Sequence, residues 1–326
     1  MVDRTTQRSW LRFALQSGRN SLPTWASTDV VPMVGAPRHE LIQDGVDRNI
    51  LGPSFGSSER LPGQPYRRYA CTVEMAASGT AGTAPPWDKL LRACGVARTD
   101  ISGDDANCQY RPVSTGFEFG ALRFTEDGVF RIIKNALGTA TLNLRAGEIP
   151  RFEFDFLGAL HSVPTESALG VEYDAVWNNV QVITDDNAGD IRLGASFNAS
   201  TGVISSGTSY PSFGLTLRLG WQVQHSQILG LSGATFESRK PEIDLELYLS
   251  AAQDITLEAI VRDITYTTLA WQIGTTAGKR FGLWFPRVQL AEVQSEQRDG
   301  RLMRKFKVYP VPTGVARDDD WRLITR

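Results

Sequence analysis

Glu153 and Asp155, in the stretch PRFEFDFLGAL (150–160), are two acids whose spacing could serve acid–base chemistry. Two residues apart on a strand, their Cα atoms would lie ~6 to 7 Å apart, and paired carboxyl groups at such a separation can cleave a glycosidic bond. Arg151 lies on the same side of the strand, and the sequence shows no sugar-stacking cleft beside them. We therefore favour a solvated structural face over a pair of catalytic acids.

Ser54 is a second candidate, because GPSFG (52–56) matches the G-x-S-x-G pattern of a hydrolase nucleophile. That pattern requires a strand before the serine and a helix after it. No apolar strand precedes the motif, Pro53 adjoins the serine, and SSERLPGQP follows where the helix should begin. We interpret the motif as a polar loop and predict that the protein is not an enzyme.

Metal-binding patterns are weak. The chain has three histidines and three cysteines, which lie far apart and form neither a zinc-type histidine pair nor a C-x-x-C pair: His39, His161, His225, Cys71, Cys94 and Cys108. DDNAGD (185–190) resembles the start of a calcium loop, but the twelfth position from Asp185 is Ser196 instead of glutamate. We expect no metal and no cofactor, and reduced thiols of a protein that folds in the cytoplasm.

The carboxylates of 150–160 must be positioned by a strand, because successive side chains of a strand point to opposite faces. One face would carry Arg151, Glu153 and Asp155, and the other Phe152, Phe154 and Phe156. The later stretch PEIDLELYL repeats the pattern, with Glu242, Asp244 and Glu246 alternating with Ile243, Leu245 and Leu247. We predict two strands, each with an apolar row in the core and a charged row outside it.

Other segments indicate a β-rich fold with little helix. Asp127-Gly128 is a strong hairpin signal between two alternating runs. PPWDKLLRACG predicts a short helix, with Trp87, Leu90 and Leu91 in the core and Gly95 at its end. DITLEAIVRDI fits either a helix or a strand. The fold class that these patterns favour is mainly β, a β-sandwich with one or two short helices.

Domain organisation is read from changes in pattern along the chain. Residues 1–65 have scattered Gly and Pro and little periodicity, which predicts a long N-terminal arm that satisfies its backbone groups on a neighbouring chain. Residues 66–312 form the β-sandwich domain, and residues 313–326 a polar C-terminal tail. We expect that deletion of residues 1–40 leaves a folded subunit that no longer polymerises.

Composition excludes several classes of protein. The 326 residues carry a formal net charge of −2, which gives no electrostatic case for wrapping DNA or binding an anionic membrane. No window approaches the ~20 apolar residues of a membrane helix. MVDRTTQRSWLRFAL lacks the uninterrupted apolar run of a secretory signal. We expect a soluble protein that folds inside a cell.

Several segments occur in a recognisable order: DGVDRNILGPSFGSSERLPGQPYRRYACTVEM, then TAPPWDKLLRACG, YRPVSTG, GVFRIIKNALGTATLNLRAGEIPRFEFDFLGAL, LTLRLGWQVQ, LSGATFESRKPEIDLELYL and TTAGKRFGLWFPRVQL. In this order they resemble the major tail tube proteins of long-tailed bacteriophages with non-contractile tails. The resemblance spans about residues 44 to 293. Its most specific part is the PPWDKLLRACG helix with the glycine-turn strands that follow it.

The resemblance implies a subunit that forms sixfold rings, stacked into a tube through which the genome passes. The inner sheets of its neighbours would join into one ring-wide β-barrel, which removes exposed sheet edges by closure. We then expect the charged rows at 151–155 and 242–246 to face the lumen, where a net acidic wall would repel passing DNA weakly. The solvated outer surface is the alternative place for these rows.

The resemblance also implies the partners. They are the chain itself, the tape-measure protein, the tail terminator and tail-tip proteins, and double-stranded DNA in transient, non-specific passage, with no membrane. The protein would be made and assembled in the host cytoplasm and would reside in the virion tail.

Two other functions stay open on the sequence. A receptor- or carbohydrate-binding β-protein of the tail would also be β-rich and free of catalytic motifs, although fibres usually show repeats and none is seen. A secreted β-sandwich hydrolase could use Glu153 and Asp155, or Ser54, but would be expected to carry an export signal.

Overall fold

The computed structural model describes residues 8–48, 50, 59–161, 165–166, 173–230, 232–298, 300–315 and 317–326. Its two α-helices are α1 (Asp88–Arg92) and α2 (Ala251–Arg262), with short 3-10 turns at Ser27–Asp29 and Ala175–Asn178. The strands are β1 (Ser9–Leu15), β2 (Val30–Val31), β3 (Arg38–Asp47), β4 (Arg60–Glu74), β5 (Val96–Ile101), β6 (Asn107–Pro112), β7 (Gly120–Glu126), β8 (Val129–Arg145), β9 (Arg151–Leu160), β10 (Thr165–Glu166), β11 (Ile191–Leu193), β12 (Ser196–Asn198), β13 (Val203–Ser205), β14 (Thr208–Tyr210), β15 (Ser212–Arg218), β16 (Trp221–Ser226), β17 (Gly233–Arg239), β18 (Glu242–Leu247), β19 (Thr267–Ile273), β20 (Phe281–Arg298), β21 (Arg301–Pro310) and β22 (Arg322–Thr325).

The principal sheet runs in the order β3-β4-β9-β8-β15-β18-β21-β20, and every neighbouring pair is antiparallel. The Asp127-Gly128 turn joins β7 to β8 as predicted, with Glu126 paired to Val129 and positive φ at both turn residues. The long strands of this sheet have an apolar row on one side and a polar row on the other, which gives the sheet one core face.

The sheet forks at Asn135, where a bulge interrupts β8. Before the bulge β8 pairs with β7, and after it with β15. Asn135 has a φ of 51°, a conformation that asparagine tolerates better than most residues. Its buried amide is satisfied, because the side chain donates to Asn20 Oδ1 at 2.9 Å and to the Ser232 carbonyl at 2.8 Å. The fork lets one strand serve two layers.

The second layer contains the other strands around the core. The first half of β20 pairs with β19 and β22, and β22 leads on to β6 and β5. Aromatic contacts join the layers, with Phe13 of β1 at 5.1 Å from Phe156 and Trp87 at 5.0 Å from Phe152 between ring centroids. The prediction of a mainly β fold with two short helices is confirmed, and the part of the chain described here forms no closed barrel.

The nine residues predicted for the core are all buried: Phe152, Phe154, Phe156, Ile243, Leu245, Leu247, Trp87, Leu90 and Leu91. Burial on alternate positions of β9 and β18 follows from the strand period of two. At α1, the Trp87 indole N–H donates to the Ala76 carbonyl at 2.8 Å, which satisfies a polar group that would otherwise be costly inside the core.

The ambiguous stretch DITLEAIVRDI lies in a helix, α2. Ser250 caps its start: Ser250 Oγ accepts from the Gln253 backbone N–H, and the Gln253 side chain accepts from the Ser250 backbone N–H at 3.0 Å. This reciprocal capping box selects helix over strand. Asp254 also forms an ion pair with Arg304 at 2.6 Å, which ties the first turn of the helix to β21.

The segment 1–65 is not an irregular arm throughout, which corrects the sequence-based interpretation. β1 pairs with β7 along its whole length, and Leu11 and Phe13 are buried in the core. β3 forms a long hairpin with β4. We therefore now expect that a chain without residues 1–40 does not fold, because the deletion removes a core strand. Contact of this segment with a neighbouring chain stays a prediction.

The predicted polar tail, 313–326, also belongs to the domain. Trp321, Leu323 and Ile324 are buried, and β22 lies between β20 and β6. Arg326 pairs with Asp105 at 2.8 Å. The sequence did not predict β22, because its four residues are too few for a clear alternation and they follow a charged run.

Candidate assembly surface

The two charged rows predicted from the sequence lie on one side of one sheet. β8 and β15 stand between β9 and β18, and the register places Glu153 opposite Thr141, and Asp244 opposite Thr216. The rows therefore belong to a continuous surface over β4, β9, β8, β15, β18 and β21. We call this surface the polar face. It is the side of the principal sheet that lies opposite the buried Phe, Ile and Leu rows.

Most acids of the polar face are bound to side chains of adjacent strands. Both oxygens of Asp155 accept from the Arg68 guanidinium. Across β15 and β18, Arg218 pairs with Asp244 at 2.7 Å. Glu153 accepts a hydrogen bond from Asn143 Nδ2 at 2.8 Å. Cross-strand partners of this kind lie on adjacent strands of an antiparallel sheet.

Glu246 lies at the centre of a cluster of three basic groups. The distances from its carboxylate are 3.5 Å to Arg298 Nη1, 3.8 Å to Arg145 Nη2 and 4.0 Å to Lys305 Nζ. Two residues beyond Lys305 on β21, Lys307 Nζ lies 3.5 Å from Glu242, and this negative neighbour raises the pKa of the lysine. A single acid here faces more than one base.

Acidic and basic side chains occur in similar number on the polar face and on the adjoining part of β20. The acids are Glu74, Glu153, Asp155, Glu242, Asp244, Glu246 and Glu292, and the bases are Arg68, Arg145, Arg151, Arg218, Arg298, Lys305 and Lys307. Within the subunit this surface is therefore of mixed charge, and the expectation that it lines a lumen stays a prediction. In the sequence, the charged rows of β9 and β18 contain mostly acids. The bases that lie beside these acids belong to other strands, β4, β8, β15, β20 and β21.

A hairpin that the sequence did not predict covers part of the polar face. β16 and β17 follow β15 and lie against β8 and β9, and the His225 ring stacks on Tyr66 with centroids 4.2 Å apart. A cavity of about 460 Å³ lies between this hairpin and the sheet, with Arg68 and Asp155 in its wall. Burial in this position lowers the pKa of His225. Asp155 and Arg68 therefore lie beside the hairpin, in the wall of this cavity.

Each of the two outer strands of the principal sheet, β3 and β20, has an unpaired edge over at least part of its length. Among the described strands β3 pairs with β4 alone, and β20 from Gln294 to Arg298 pairs with β21 alone. The hairpin β3–β4 extends beyond the Tyr66–Ala159 pair at one end of the sheet, and the hairpin β20–β21 extends beyond the Glu246–Lys305 pair at the opposite end. The projecting hairpins thus lie at opposite edges and at opposite ends.

Apolar side chains are exposed on both projecting hairpins. Val46 and Leu61 face each other across β3 and β4 and are 71% and 45% exposed. Leu41 on β3 and Leu302 on β21 are also exposed. An exposed cross-strand apolar pair on an edge hairpin is typical of a surface that another chain covers.

The residues considered for catalysis or metal binding do not form a catalytic or metal-binding cluster in the described part of the chain. Asp155 binds Arg68 and Glu153 binds Asn143, and Ser54 lies outside the described residues. His39 Nε2 forms a hydrogen bond of 2.6 Å with Glu126 Oε2. His225 lies elsewhere, stacked on Tyr66. Within the described ranges, no group of three or more His, Cys, Asp or Glu residues could hold a metal ion. No helix in those ranges is long and apolar enough to cross a membrane.

The three cysteines are buried and unpaired. Burial raises the pKa of the Cys71 and Cys108 thiols to about 12, and raises that of Cys94 well above its usual range. A thiol with a raised pKa is a poor nucleophile and a poor metal ligand at neutral pH. The cysteines therefore act as small apolar core residues.

A cleft of about 600 Å³ was not anticipated from the sequence. Its walls include the aromatic rings of Phe117, Trp221 and Phe236 and the buried ion pair of Arg239 with Asp320, 3.1 Å apart. Burial raises the pKa of Asp320 to about 6, against the opposing effect of Arg239. The cleft lies under the hairpin β16–β17, beside the C-terminal segment.

Comparisons with known proteins give no family assignment. No protein-family model matches the chain, and no curated protein matches it either. The resemblance in segment order therefore remains the basis for any assignment of function, together with the geometry of the sheet.

Proposed function

We propose that the protein is a structural virion subunit that self-assembles into stacked hexameric rings, which form the tail tube of a long-tailed bacteriophage. The observation that carries this proposal is the arrangement of the principal sheet, which has a free edge along β3 and along β20 from Gln294 to Arg298, and a hairpin projecting from each end. The number of subunits in a ring, six, is proposed from the resemblance of the sequence segments to the tail tube family.

Two different free edges favour a cyclic assembly. A contact between edge β3 of one subunit and edge β20 of the next is heterologous, since it joins two different surfaces and leaves the same pair of surfaces open at the ends. Repetition around an axis closes such contacts into a ring and removes every exposed edge. The sheet of one subunit would then be one segment of the wall of a tube.

The projecting hairpins favour stacking of rings. β3–β4 and β20–β21 point to opposite ends of the sheet, so the first hairpin of one ring can reach the opposite end of the ring beside it. Exposed Val46, Leu61 and Leu302 would be covered in that contact. Burying apolar area contributes about 25 cal/mol per Å², so these contacts would stabilise the stack.

In this assembly the polar face would line the lumen. Arg151, Glu153, Glu242, Asp244 and Glu246 lie in its open part, and the hairpin β16–β17 would stand beside Asp155. The lumen would give passage to double-stranded DNA and would hold the tape-measure protein during growth. Tail terminator and tail-tip proteins would close the two ends of the tube.

Electron microscopy of the purified, concentrated chain tests the proposal. We expect rings with sixfold symmetry and a central hole, or tubes of stacked rings, because both contact surfaces belong to the one chain. Discrete dimers or trimers at high concentration would contradict it. If only monomers form, the same chain mixed with preformed tail tips should polymerise, and monomers under both conditions would refute self-assembly.

The aromatic cleft favours a second candidate, a carbohydrate-binding protein of the tail. Aromatic rings that lie beside charged groups suit the apolar faces and hydroxyl groups of a sugar, as ligand sites usually combine apolar walls with a few polar groups. Glycan-array binding that is lost in Phe236→Ala would favour this function. Tubes of the wild-type chain without glycan binding would exclude it.

A further inference from the structure

Apart from Arg151, the basic side chains of the polar face lie beside acids of other strands in the sheet. Arg68 uses Nε and Nη2 to bind both oxygens of Asp155, and Arg218 reaches Asp244 at 2.7 Å. Arg145, Arg298 and Lys305 surround Glu246. Most of the bases that would meet a phosphate therefore already face a carboxylate within the subunit.

Stability does not explain why these pairs are present. The arginines Arg68 and Arg218 are about half exposed, and ion pairs of this kind typically contribute only about 0–1 kcal/mol. Their effect on a polyanion is larger. Each Lys or Arg that neutralises a phosphate releases counterions from DNA, and this release provides most of the non-specific affinity. An acid that occupies the base competes with the phosphate for it.

We infer that Asp155, Asp244 and Glu246 keep the polar face from retaining double-stranded DNA, because they occupy its arginines and lysines. The inference rests on the proposed function, in which DNA moves past this face. It differs from an acidic, repelling wall, because the balanced face neither attracts nor repels the duplex strongly. Loss of one acid would free a base in every subunit of a ring.

The double variant Asp155→Asn, Asp244→Asn tests the inference. Asparagine keeps the shape of each side chain and frees Arg68 and Arg218. We would measure binding of a short fluorescent DNA duplex to the full chain by anisotropy, between about 50 and 200 mM salt. We expect binding at least tenfold tighter than wild type at the lowest salt. The slope of log K against log salt should steepen by about 1.8, the value for two added phosphate contacts.

A matched control separates this effect from a change in net charge. Glu59→Gln, Asp263→Asn also removes two negative charges and also frees two arginines, Arg48 and Arg262, but at exposed positions outside the polar face. We expect the control to bind DNA as weakly as wild type. Adding Arg68→Gln and Arg218→Gln to the first variant should abolish its gain. Circular dichroism of every variant verifies that it is folded.

Three results would overturn the inference: no gain in a folded Asp155→Asn, Asp244→Asn variant, an equal gain in the control, or wild-type binding as tight as that of the variant. Microscopy of the same samples keeps the two proposals apart. Tubes without a gain in DNA affinity refute the inference and leave the proposed function standing. A gain in affinity in a chain that never forms rings supports the role of the acids and counts against the tube.

Discussion

At the scale of single residues, Asp320 shows how burial outweighs an ion pair. Its carboxyl group is buried next to Arg239, yet its pKa is raised to about 6, because the loss of solvation of the charged form exceeds the attraction of the guanidinium. Asp319 lies next to it and adds a small effect in the same direction. The charged form of Asp320 therefore weakens the fold.

The sign of the pH dependence follows from this shift. A rise in pKa from 3.8 to about 6 means that the folded chain holds this proton more tightly than the unfolded chain. The contribution to stability is fully present below pH ~4 and is lost as the pH rises through ~6, and it amounts to about 3 kcal/mol. Asp320→Asn should remove it.

The measurement compares urea unfolding of wild type and Asp320→Asn at several pH values from 4 to 7.5. Arg239 loses its partner in the variant at every pH, so the change in absolute stability is not the readout. The difference between the two proteins should shift by about 3 kcal/mol across this range in favour of the variant at high pH. Parallel curves would show that Asp320 does not titrate as its burial implies.

At the scale of elements, the hairpin β16–β17 depends on Gly220. Here the chain leaves the sheet with a φ of 68°, and a Cβ atom would overlap the carbonyl oxygen of Lys240, where the chain returns. Lys240 N–H also donates to the Gly220 carbonyl at 3.0 Å, which closes the base of the hairpin. A side chain at this position is excluded twice, by conformation and by space.

Gly220→Ala should therefore destabilise the protein by more than the about 1–2 kcal/mol that a left-handed conformation alone costs an alanine. Gly230→Ala is the matched control, because Gly230 has a φ of 81° and no atom within 4 Å of the added Cβ. Thermal unfolding measures both, and hydrogen exchange of 221–239 should rise only in Gly220→Ala. Equal losses in the two variants would mean that the close approach to Lys240 is relieved.

At the scale of the whole molecule, the N-terminal segment 1–65 contributes a buried strand, β1, to the domain. Deletion of residues 1–40 should give an unfolded or aggregating chain, because it removes β1 and exposes the edge of β7 and the ring of Phe156. Phe13→Ala should cost about 3–5 kcal/mol. Leu41→Ala, in the same segment but exposed, should cost little. Cooperative unfolding of the deletion variant would contradict this assignment.

Assembly should depend on the hairpin β3–β4 separately from folding. Val46→Glu, Leu61→Glu should leave a folded monomer that forms neither stacks nor tubes, since charges would be buried in the contact between rings. Val315→Glu is the control, because Val315 is fully exposed and lies in the C-terminal segment, outside this hairpin. Sedimentation and microscopy measure the result. Normal tubes from the double variant would place the stacking contact elsewhere.

The sequence alone determined the elements that have a clear local signal. The alternation in β9 and β18, the Asp127-Gly128 turn and the α1 stripe each follow from side-chain period or turn chemistry within a few residues. The Ser250–Gln253 capping box is also a local signal, and it distinguishes helix from strand for α2.

Only the tertiary structure decided what those elements do together. Strand pairing joins residues far apart in the chain, so the bases that balance Asp155 and Asp244 come from β4 and β15, and β1 and β22 enter the core through partners that no local pattern reveals. A strand's own sequence shows that it has a polar side. The charge of that surface, and which strand edges stay open for assembly, are properties of the whole sheet.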